Sequence, residues 1–144
     1  MFNFTLKHQS LLFALNLIFL KDLMVAHDSV AVIMFNKTHN TMVFVKQFRP
    51  AVYHGLISHE IGNSKEIDTS KYPPSQAITL ELCAGIVDKD LPLAEIAREE
   101  MEEECGYAVP VERLEEVMKY RSGVGTTGSL QVLYYCEVTD DDKK

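Results

Sequence analysis

The segment from Pro92 to Gly106 constrains the fold of this 144-residue chain more than any other part of the sequence. Its apolar residues recur at helical spacing, a proline is tolerated in a first helical turn, and a glycine favours helix termination. We therefore predict a helix over Leu93–Cys105. Strand-like runs lie on both sides of it, so the predicted fold class is α/β, with a mixed β-sheet covered by helix.

The strand predictions rest on runs of β-branched and apolar residues. They cover Ser29–Asn36, Thr41–Phe48, Ile78–Cys83, Glu115–Arg121 and Leu130–Val138. The first two are separated by four polar residues, which predicts a β-hairpin. We expect Gly85 to break the third strand. The polar stretch Val52–Gln76 predicts a long loop, and Ser122–Ser129 is a glycine-rich loop between the last two strands.

The charge and the cysteine content of the chain argue against several classes of protein. The chain has 21 acidic and 14 basic side chains and a formal charge of -7, which argues against a nucleic-acid binder. Its three cysteines are an odd number without C-x-x-C spacing, so a disulfide scaffold or a structural zinc site is disfavoured. Reduced thiols in a cytoplasmic protein fit this pattern better.

The N-terminus differs in character from the rest of the chain. Leu11–Leu20 (LLFALNLIFL) is apolar, but it has about half of the roughly 20 residues that a membrane-spanning helix needs, so we predict no membrane span. A signal peptide is a weaker alternative because a small-residue cleavage site is missing. We therefore divide the chain into an atypical apolar segment (residues 1–24), one domain (residues 25–139) and a solvated polar tail (residues 140–144).

The predicted helix carries six glutamates and one arginine between positions 95 and 104. At about 100° per residue, Glu95, Glu99 and Glu102 lie opposite the apolar stripe, as expected of a solvated face. In contrast, Glu100, Glu103 and Glu104 lie in line with the stripe. Three unpaired carboxylates on an inward face repel one another, and their burial is costly. We therefore predict that they bind a hard divalent cation, Mg²⁺ or Mn²⁺.

The same residues carry a recognisable motif. The segment from Gly85 to Tyr107 resembles the Nudix box, G-x5-E-x7-R-E-U-x-E-E-x-G-U with U apolar, because Gly85 and Gly106 have the required separation. The three inward glutamates fall on the metal-binding positions of the box. Two positions depart from it: Leu91 replaces the first glutamate, and Glu99 replaces the arginine, with Arg98 one place early.

Flanking segments are similar to the uridine diphosphate glucose pyrophosphatases, in the ADP-ribose pyrophosphatase branch of the Nudix hydrolases. These segments are His27–Val30 (HDSV), Lys46–Tyr53 (KQFRPAVY), Glu81–Asp88 (ELCAGIVD) and Tyr120–Ser129 (YRSGVGTTGS). The resemblance implies a Nudix α/β/α sandwich, a homodimer, and metal-dependent hydrolysis of UDP-glucose to UMP and glucose 1-phosphate. ADP-ribose would be a second substrate.

The resemblance also implies roles for individual residues. Glu100, Glu103 and Glu104 would hold Mg²⁺ together with a backbone carbonyl of Ala84 or Gly85, and one of the glutamates would act as the base. Arg49 would contact the diphosphate, with a surface ion pair as the alternative role. Gly125 and Thr126, in the glycine-rich loop, would offer N–H groups to phosphate, although a plain turn is the alternative.

Members of this family usually extend beyond the point where this sequence stops, with another strand, a covering helix and a late carboxylate that helps to activate water. We therefore expect the domain to be incomplete at its C-terminus. Two functional hypotheses follow. The first is an active diphosphatase, and the second is a catalytically weak or inactive module that binds metal and nucleotide sugar.

Overall fold

The computed structural model describes residues 24–61 and 66–144. The predicted segment 1–24 lies outside these residues except for Met24, and the predicted domain boundaries stay a prediction. No helix within the described ranges is long and apolar enough to cross a membrane. The strands are β1 (Ser29–Asn36), β2 (Thr41–Val43), β3 (Val45–Phe48), β4 (Ile78–Glu81), β5 (Cys83–Ile86), β6 (Glu115–Arg121) and β7 (Leu130–Val138), and the helices are α1 (Pro50–Ile61) and α2 (Leu93–Cys105).

Strand β1 organises a five-stranded sheet. Along one edge it pairs in parallel with the whole of β7, from Ser29 opposite Gln131 to Asn36 opposite Val138. Its other edge is shared by two antiparallel strands, β5 beside the first half and β2 beside the last residues. Strand β6 is antiparallel to β7 at the outside. The predicted mixed sheet, the hairpin and the bounds of β1, β6 and β7 are confirmed.

Two predicted strands are each divided into two. The run Thr41–Phe48 breaks at Phe44, where β2 ends and β3 turns away to pair with β4 in a separate two-stranded sheet. The run Ile78–Cys83 breaks at Leu82 between β4 and β5. The prediction that Gly85 breaks its strand is wrong, because Gly85 lies within β5 and opposite Val30 of β1.

Helix α2 has the predicted bounds, and its ends show why. Pro92 caps its start, and Gly106 ends it in a left-handed conformation (φ 73°) that glycine adopts without steric cost. The Gly106 N–H donates to the carbonyls of Glu102 and Met101, so the last turn is satisfied. The buried residues Ile96, Ala97 and Met101 attach α2 to the sheet.

The core lies between α2 and one face of the sheet. Alternate residues of β1 and β7 point into it, as expected of strands with one covered face. Each large apolar side chain buried there contributes about 1.5–3 kcal/mol. The contributing strand residues are Val30, Val32, Met34, Cys83, Val132, Tyr134, Cys136 and Val138.

The predicted loop Val52–Gln76 is wrong in its first part, which is helix α1. Pro50 suits a first helical position because its fixed φ is helical and no N–H is lost there. Ile57 is buried, and the ring of Tyr53 lies 5.7 Å from that of Phe48. Only a few apolar residues of this segment make the contacts that stabilise the helix, and the rest of the segment is polar. Its composition therefore resembles that of a loop.

The last residues are exposed but fixed in place. Asp140–Asp142 form a 3₁₀ turn, in which the Thr139 hydroxyl and N–H both contact the Asp142 carboxylate. Arg113 donates two hydrogen bonds to the same carboxylate. The segment that we expected to be a solvated tail is therefore docked against the domain through polar contacts.

Candidate active site

Gly85 and Glu100 are in direct contact across the β5–α2 interface. A Cβ atom placed on Gly85 would lie 2.0 Å from Oε1 of Glu100 and 2.1 Å from its Cδ. A side chain at this position would displace the Glu100 carboxylate, so this contact, and not a turn, favours glycine here. The two ends of the motif segment are joined by this contact.

Glu104 binds the same strand one residue earlier. The Ala84 N–H donates to Oε2 of Glu104 over 3.1 Å. Because β5 pairs with β1 along its other edge, this carboxylate satisfies a backbone donor that would otherwise face solvent. Glu100 and Glu104 thus hold the C-terminal half of α2 against the Ala84–Gly85 backbone.

Glu100 is affected by the charges of the other two motif glutamates. Partial burial raises the pKa of Glu100, and the nearby negative charges of Glu104 and Glu103 raise it further. These carboxylates are therefore close enough to repel, as the sequence predicts.

Their burial differs from the prediction. Glu100 is half-buried, whereas Glu103 and Glu104 are exposed, so the expectation of three inward carboxylates is wrong for these two. Met101 is fully buried and moves the centre of the buried stripe away from Glu103. Glu104 is in the last turn of α2 and reaches the free edge of β5, where it is not covered. Glu103 instead lines a cleft of about 290 Å³ with Lys89 and Glu99. Arg98 and Glu102 complete that cleft.

The donor set fits a hard cation only in part. Carboxylate oxygens are among the ligands that Mg²⁺ prefers, and the carboxylates of Glu100 and Glu104 lie against the Ala84–Gly85 backbone in one contact region. Within residues 24–61 and 66–144, however, no group of three or more His, Cys, Asp or Glu side chains is arranged to hold a metal ion. The structure brings two of the three predicted glutamates onto β5, and Glu103 lies beside them.

Arg49 follows β3 and is bound by Glu81 of β4. Its Nε lies 2.9 Å from Oε1 of Glu81, and its Nη2 lies 2.5 Å from Oε2. The ion pair that we considered as an alternative role for Arg49 is therefore present. Hydrogen bonding to Glu81 raises the pKa of Arg49, and the charge of Glu104 contributes to the same shift. Arg49 thus lies within electrostatic range of the glutamate that binds Ala84.

The sequence analysis assigned no role to Glu81, although the strand pattern contains a signal. Alternation in β4 places Glu81 and Thr79 on one face, and the register places Thr79 opposite Gln47 of β3. Hydrogen bonds from Arg49 and then from Thr79 lower the pKa of Glu81 to about 2. Glu81 is therefore ionised at any ordinary pH.

The glycine-rich loop forms an ordered turn. The N–H groups of Thr126, Thr127 and Gly128 all point to the carbonyl of Gly123, which has a positive φ of 57°. The Thr126 carbonyl accepts from the Met24 N–H. Gly125 and Thr126 thus lie in the plain turn that we considered as the alternative, and the Thr126 N–H is already used inside it.

A larger cavity, of about 600 Å³, lies away from these residues. It is lined by Lys37, Glu112, Arg113, Glu115, Tyr135, Glu137 and Thr139. None of the predicted site residues contributes to it. Its two basic residues are paired, Lys37 with Glu137 and Arg113 with Asp142, so we attach no part of the candidate site to this cavity.

Comparison with known proteins identifies the relatives of the chain. It is 45% identical over 128 residues to uridine diphosphate glucose pyrophosphatase NUDT14 of Bos taurus, covering 83% of this chain and 58% of the relative. The corresponding protein of Mus musculus is 44% identical over the same length and with the same coverage. The chain is a homologue of these pyrophosphatases. The resemblance indicated by the motif segment is thereby confirmed.

More distant relatives extend the comparison. A GDP-mannose pyrophosphatase of Yersinia pestis is 32% identical over 117 residues, which are 81% of this chain and 48% of that protein. The chain thus spans about half the length of the curated relatives it matches. A crystal structure of an ADP compounds hydrolase is similar with a TM-score of 0.54 at 12% identity, covering 78% of this chain and 46% of the other. It confirms the predicted α/β fold. No protein-family model matches the chain.

Proposed function

We propose that this protein hydrolyses the diphosphate bond of a nucleoside diphosphate sugar in a divalent-metal-dependent reaction. UDP-glucose and water would give UMP and glucose 1-phosphate, with ADP-ribose as a second substrate. The relatives are named as pyrophosphatases of UDP-glucose and of GDP-mannose, which differ in base and in sugar but share the diphosphate bond. This supports nucleoside diphosphate sugars as the substrate class. The observation that carries the proposal is the contact of Glu100 with Gly85 beside that of Glu104 with Ala84.

Mg²⁺ is the proposed metal, and Mn²⁺ could replace it. Glu100, Glu103 and Glu104 would hold it with a carbonyl of Ala84 or Gly85, since these are hard oxygen donors in one region. A bound divalent ion neutralises charge on the diphosphate and on the phosphoryl oxygens in the transition state. Because the carboxylates repel one another in its absence, a cation would also stabilise this end of α2.

The side chains and backbone of the protein would accept the proton and bind the substrate. One of Glu100, Glu103 and Glu104 accepts a proton from the attacking water, whose oxygen bonds to one phosphorus as the bond to the bridging oxygen breaks. Arg49 offers a planar, permanently charged donor to the diphosphate. Gly125 would offer its N–H to a phosphate oxygen, whereas the Thr126 N–H is bonded to Gly123 and would become available only if the turn opened.

We also propose that the protein is a cytoplasmic homodimer. Phe48, Ile78 and Leu80 lie together on one face of the two-stranded sheet and are exposed, which is an apolar surface that a second copy could cover. Three free cysteines suit a reducing compartment. The acidic net charge supports a partner other than nucleic acid.

UMP release from UDP-glucose in the presence of Mg²⁺ tests the proposed activity. Substitution Glu103→Gln should reduce kcat at least 100-fold without lowering the Tm, because Glu103 is exposed and its removal leaves the core intact. Glu95→Gln is the matched control, since Glu95 lies in the first turn of the same helix and pairs with Arg98. Unchanged kcat in Glu103→Gln would refute the assignment of Glu103.

A second candidate function is a catalytically weak or inactive module that binds metal and nucleotide sugar. The two departures from the motif, Leu91 and Glu99, favour this candidate. It predicts that UDP-glucose with Mg²⁺ raises the Tm while no UMP is released. Turnover that requires Mg²⁺ would exclude it.

A further inference from the structure

We infer that Glu81 is a positioning residue, which holds one edge of the Arg49 guanidinium so that the other edge faces the diphosphate of the substrate. The inference rests on the proposed function and adds a residue to it. Glu81 does not touch the substrate in this scheme. It acts only through Arg49.

The geometry of the pair leaves one edge of Arg49 available. The Glu81 carboxylate binds side-on, with Nε of Arg49 2.9 and 3.2 Å from its two oxygens and Nη2 2.5 Å from Oε2. Nη1 makes no hydrogen bond to any residue in the described ranges. A guanidinium has five donors in a fixed plane, so fixing the Nε–Nη2 edge also fixes the direction of the Nη1 side.

Glu81 is itself held from two directions. The Thr79 hydroxyl donates to Oε1, and the Gln47 side chain donates to Oε2 over 3.4 Å. Both partners lie on the same face of the β3–β4 sheet, where Gln47 is opposite Thr79. The carboxylate is therefore anchored by two strands, and Arg49 loses little further side-chain freedom when a substrate binds.

The position of the pair connects it to the rest of the candidate site. Glu81 precedes Ala84 by three residues along β4–β5, and the Ala84 N–H binds Glu104. Arg49 lies within electrostatic range of that same glutamate. The Arg49–Glu81 pair is therefore linked to the motif glutamates through β4–β5, and Arg49 is close enough to Glu104 for the two charges to interact.

Positioning and simple charge pairing predict opposite effects on substrate binding. If Glu81 only neutralised Arg49, its removal would leave a stronger cation for an anionic substrate, and KM would fall. If Glu81 orients Arg49, its removal releases a flexible guanidinium, and kcat/KM falls because a misplaced group loses about 100-fold in rate for an error near 1 Å. The direction of the change in KM and kcat therefore separates the two roles.

The experiment compares kcat and KM of UMP release for wild type, Glu81→Ala, Glu81→Gln, Arg49→Ala and the double variant. Glu81→Ala should lower kcat/KM about 10- to 100-fold. Glu81→Gln should recover part of it, because an amide oxygen still accepts from one guanidinium N–H while the second donor loses its acceptor. In the Arg49→Ala background, Glu81→Ala should change kcat/KM by less than about twofold. An equal loss with and without Arg49, or a lower KM at unchanged kcat, would overturn the inference.

A matched control uses the second bidentate pair of the domain. Asp142→Ala breaks the same kind of bond, with Arg113, away from the candidate site, and should leave kcat/KM unchanged. Thermal melts of all variants separate loss of folding from loss of positioning. If Glu81→Ala does not fold, the milder Glu81→Gln is used for the comparison.

The Arg49 Nε–H signal in an NMR spectrum distinguishes failure of this inference from failure of the proposed function. In wild type it should be sharp, and it should shift on addition of UDP-glucose with Mg²⁺; in Glu81→Ala it should broaden. A ligand-dependent shift without turnover would refute the hydrolase proposal and leave the positioning role intact. Turnover in which neither the signal nor kcat/KM depends on Glu81 would refute the positioning role alone.

Discussion

Substitution Gly85→Ala tests the contact that carries the proposed function. The new Cβ would lie 2.0 Å from Oε1 of Glu100, and ordinary contact begins near 3.4 Å, so the carboxylate must move by about 1.4 Å. The obstructing atoms belong to a flexible side chain, so the cost in folding free energy should be about 1 kcal/mol, at the low end for overpacking. A displacement of this size at the candidate site should reduce kcat about 100-fold or more.

The assay combines UMP release with thermal melting. We expect Gly85→Ala to lose at least 99% of its activity, while its Tm falls by no more than about 4 °C. Gly55→Ala is the matched control, because no atom lies within 4 Å of a Cβ at that helical position, so its activity should be preserved and its Tm should not fall. In a Glu100→Ala background the steric conflict is absent, so Gly85→Ala should leave the Tm unchanged. Full activity in Gly85→Ala would refute the reasoning.

Further predictions concern the contacts around the docked C-terminal residues. Hydrogen bonds from Arg113 lower the pKa of Asp142 from 3.8 to about 2, so this group contributes stability above its unfolded pKa that is lost as the pH falls from about 4 to about 2. As the pH falls through that window, the urea midpoint should fall less in Asp142→Asn than in wild type. The same dependence of the midpoint on pH in both proteins would contradict this role of Asp142. Asn36 is 2% exposed and donates to the Tyr107 hydroxyl and to Asp140, both over 3.0 Å. Asn36→Ala should cost about 1–3 kcal/mol, seen as a lower urea midpoint at unchanged KM, and an unaltered midpoint would show that the buried amide contributes nothing.

The elements that could be predicted from the sequence have local causes. Helix α2 is fixed by Pro92 and Gly106 at its ends, and β7 by an uninterrupted apolar run with alternating burial. Helix α1 could not be predicted, because it is stabilised by tertiary contacts such as that of Tyr53 with Phe48 rather than by periodicity. The interruptions at Phe44 and Leu82 likewise depend on where β3 and β4 leave the main sheet.

In the candidate site, too, the features with local causes could be predicted and those that depend on tertiary contacts could not. The motif spacing predicts which glutamates are coupled, since helical geometry relates Glu100 to Glu104 directly. It does not predict that a side chain from α2 packs against Gly85, because that contact depends on the distance between strand and helix. The Arg49–Glu81 pair joins residues 32 positions apart and follows from the register of β3 with β4, which no local pattern specifies.

The parallel pairing of β1 with β7 has a consequence for how the chain is made. Ser29 and Gln131 are neighbours in the sheet but 102 residues apart in sequence. At ribosomal speeds of about 5–20 residues per second, β1 waits roughly 5–20 s before β7 is synthesised. During this interval its apolar residues and one whole edge lack their final partner, so the nascent chain is exposed to aggregation and to holdase chaperones. Contacts of such long range also make the last folding step slow, since loop closure precedes the stabilising contacts.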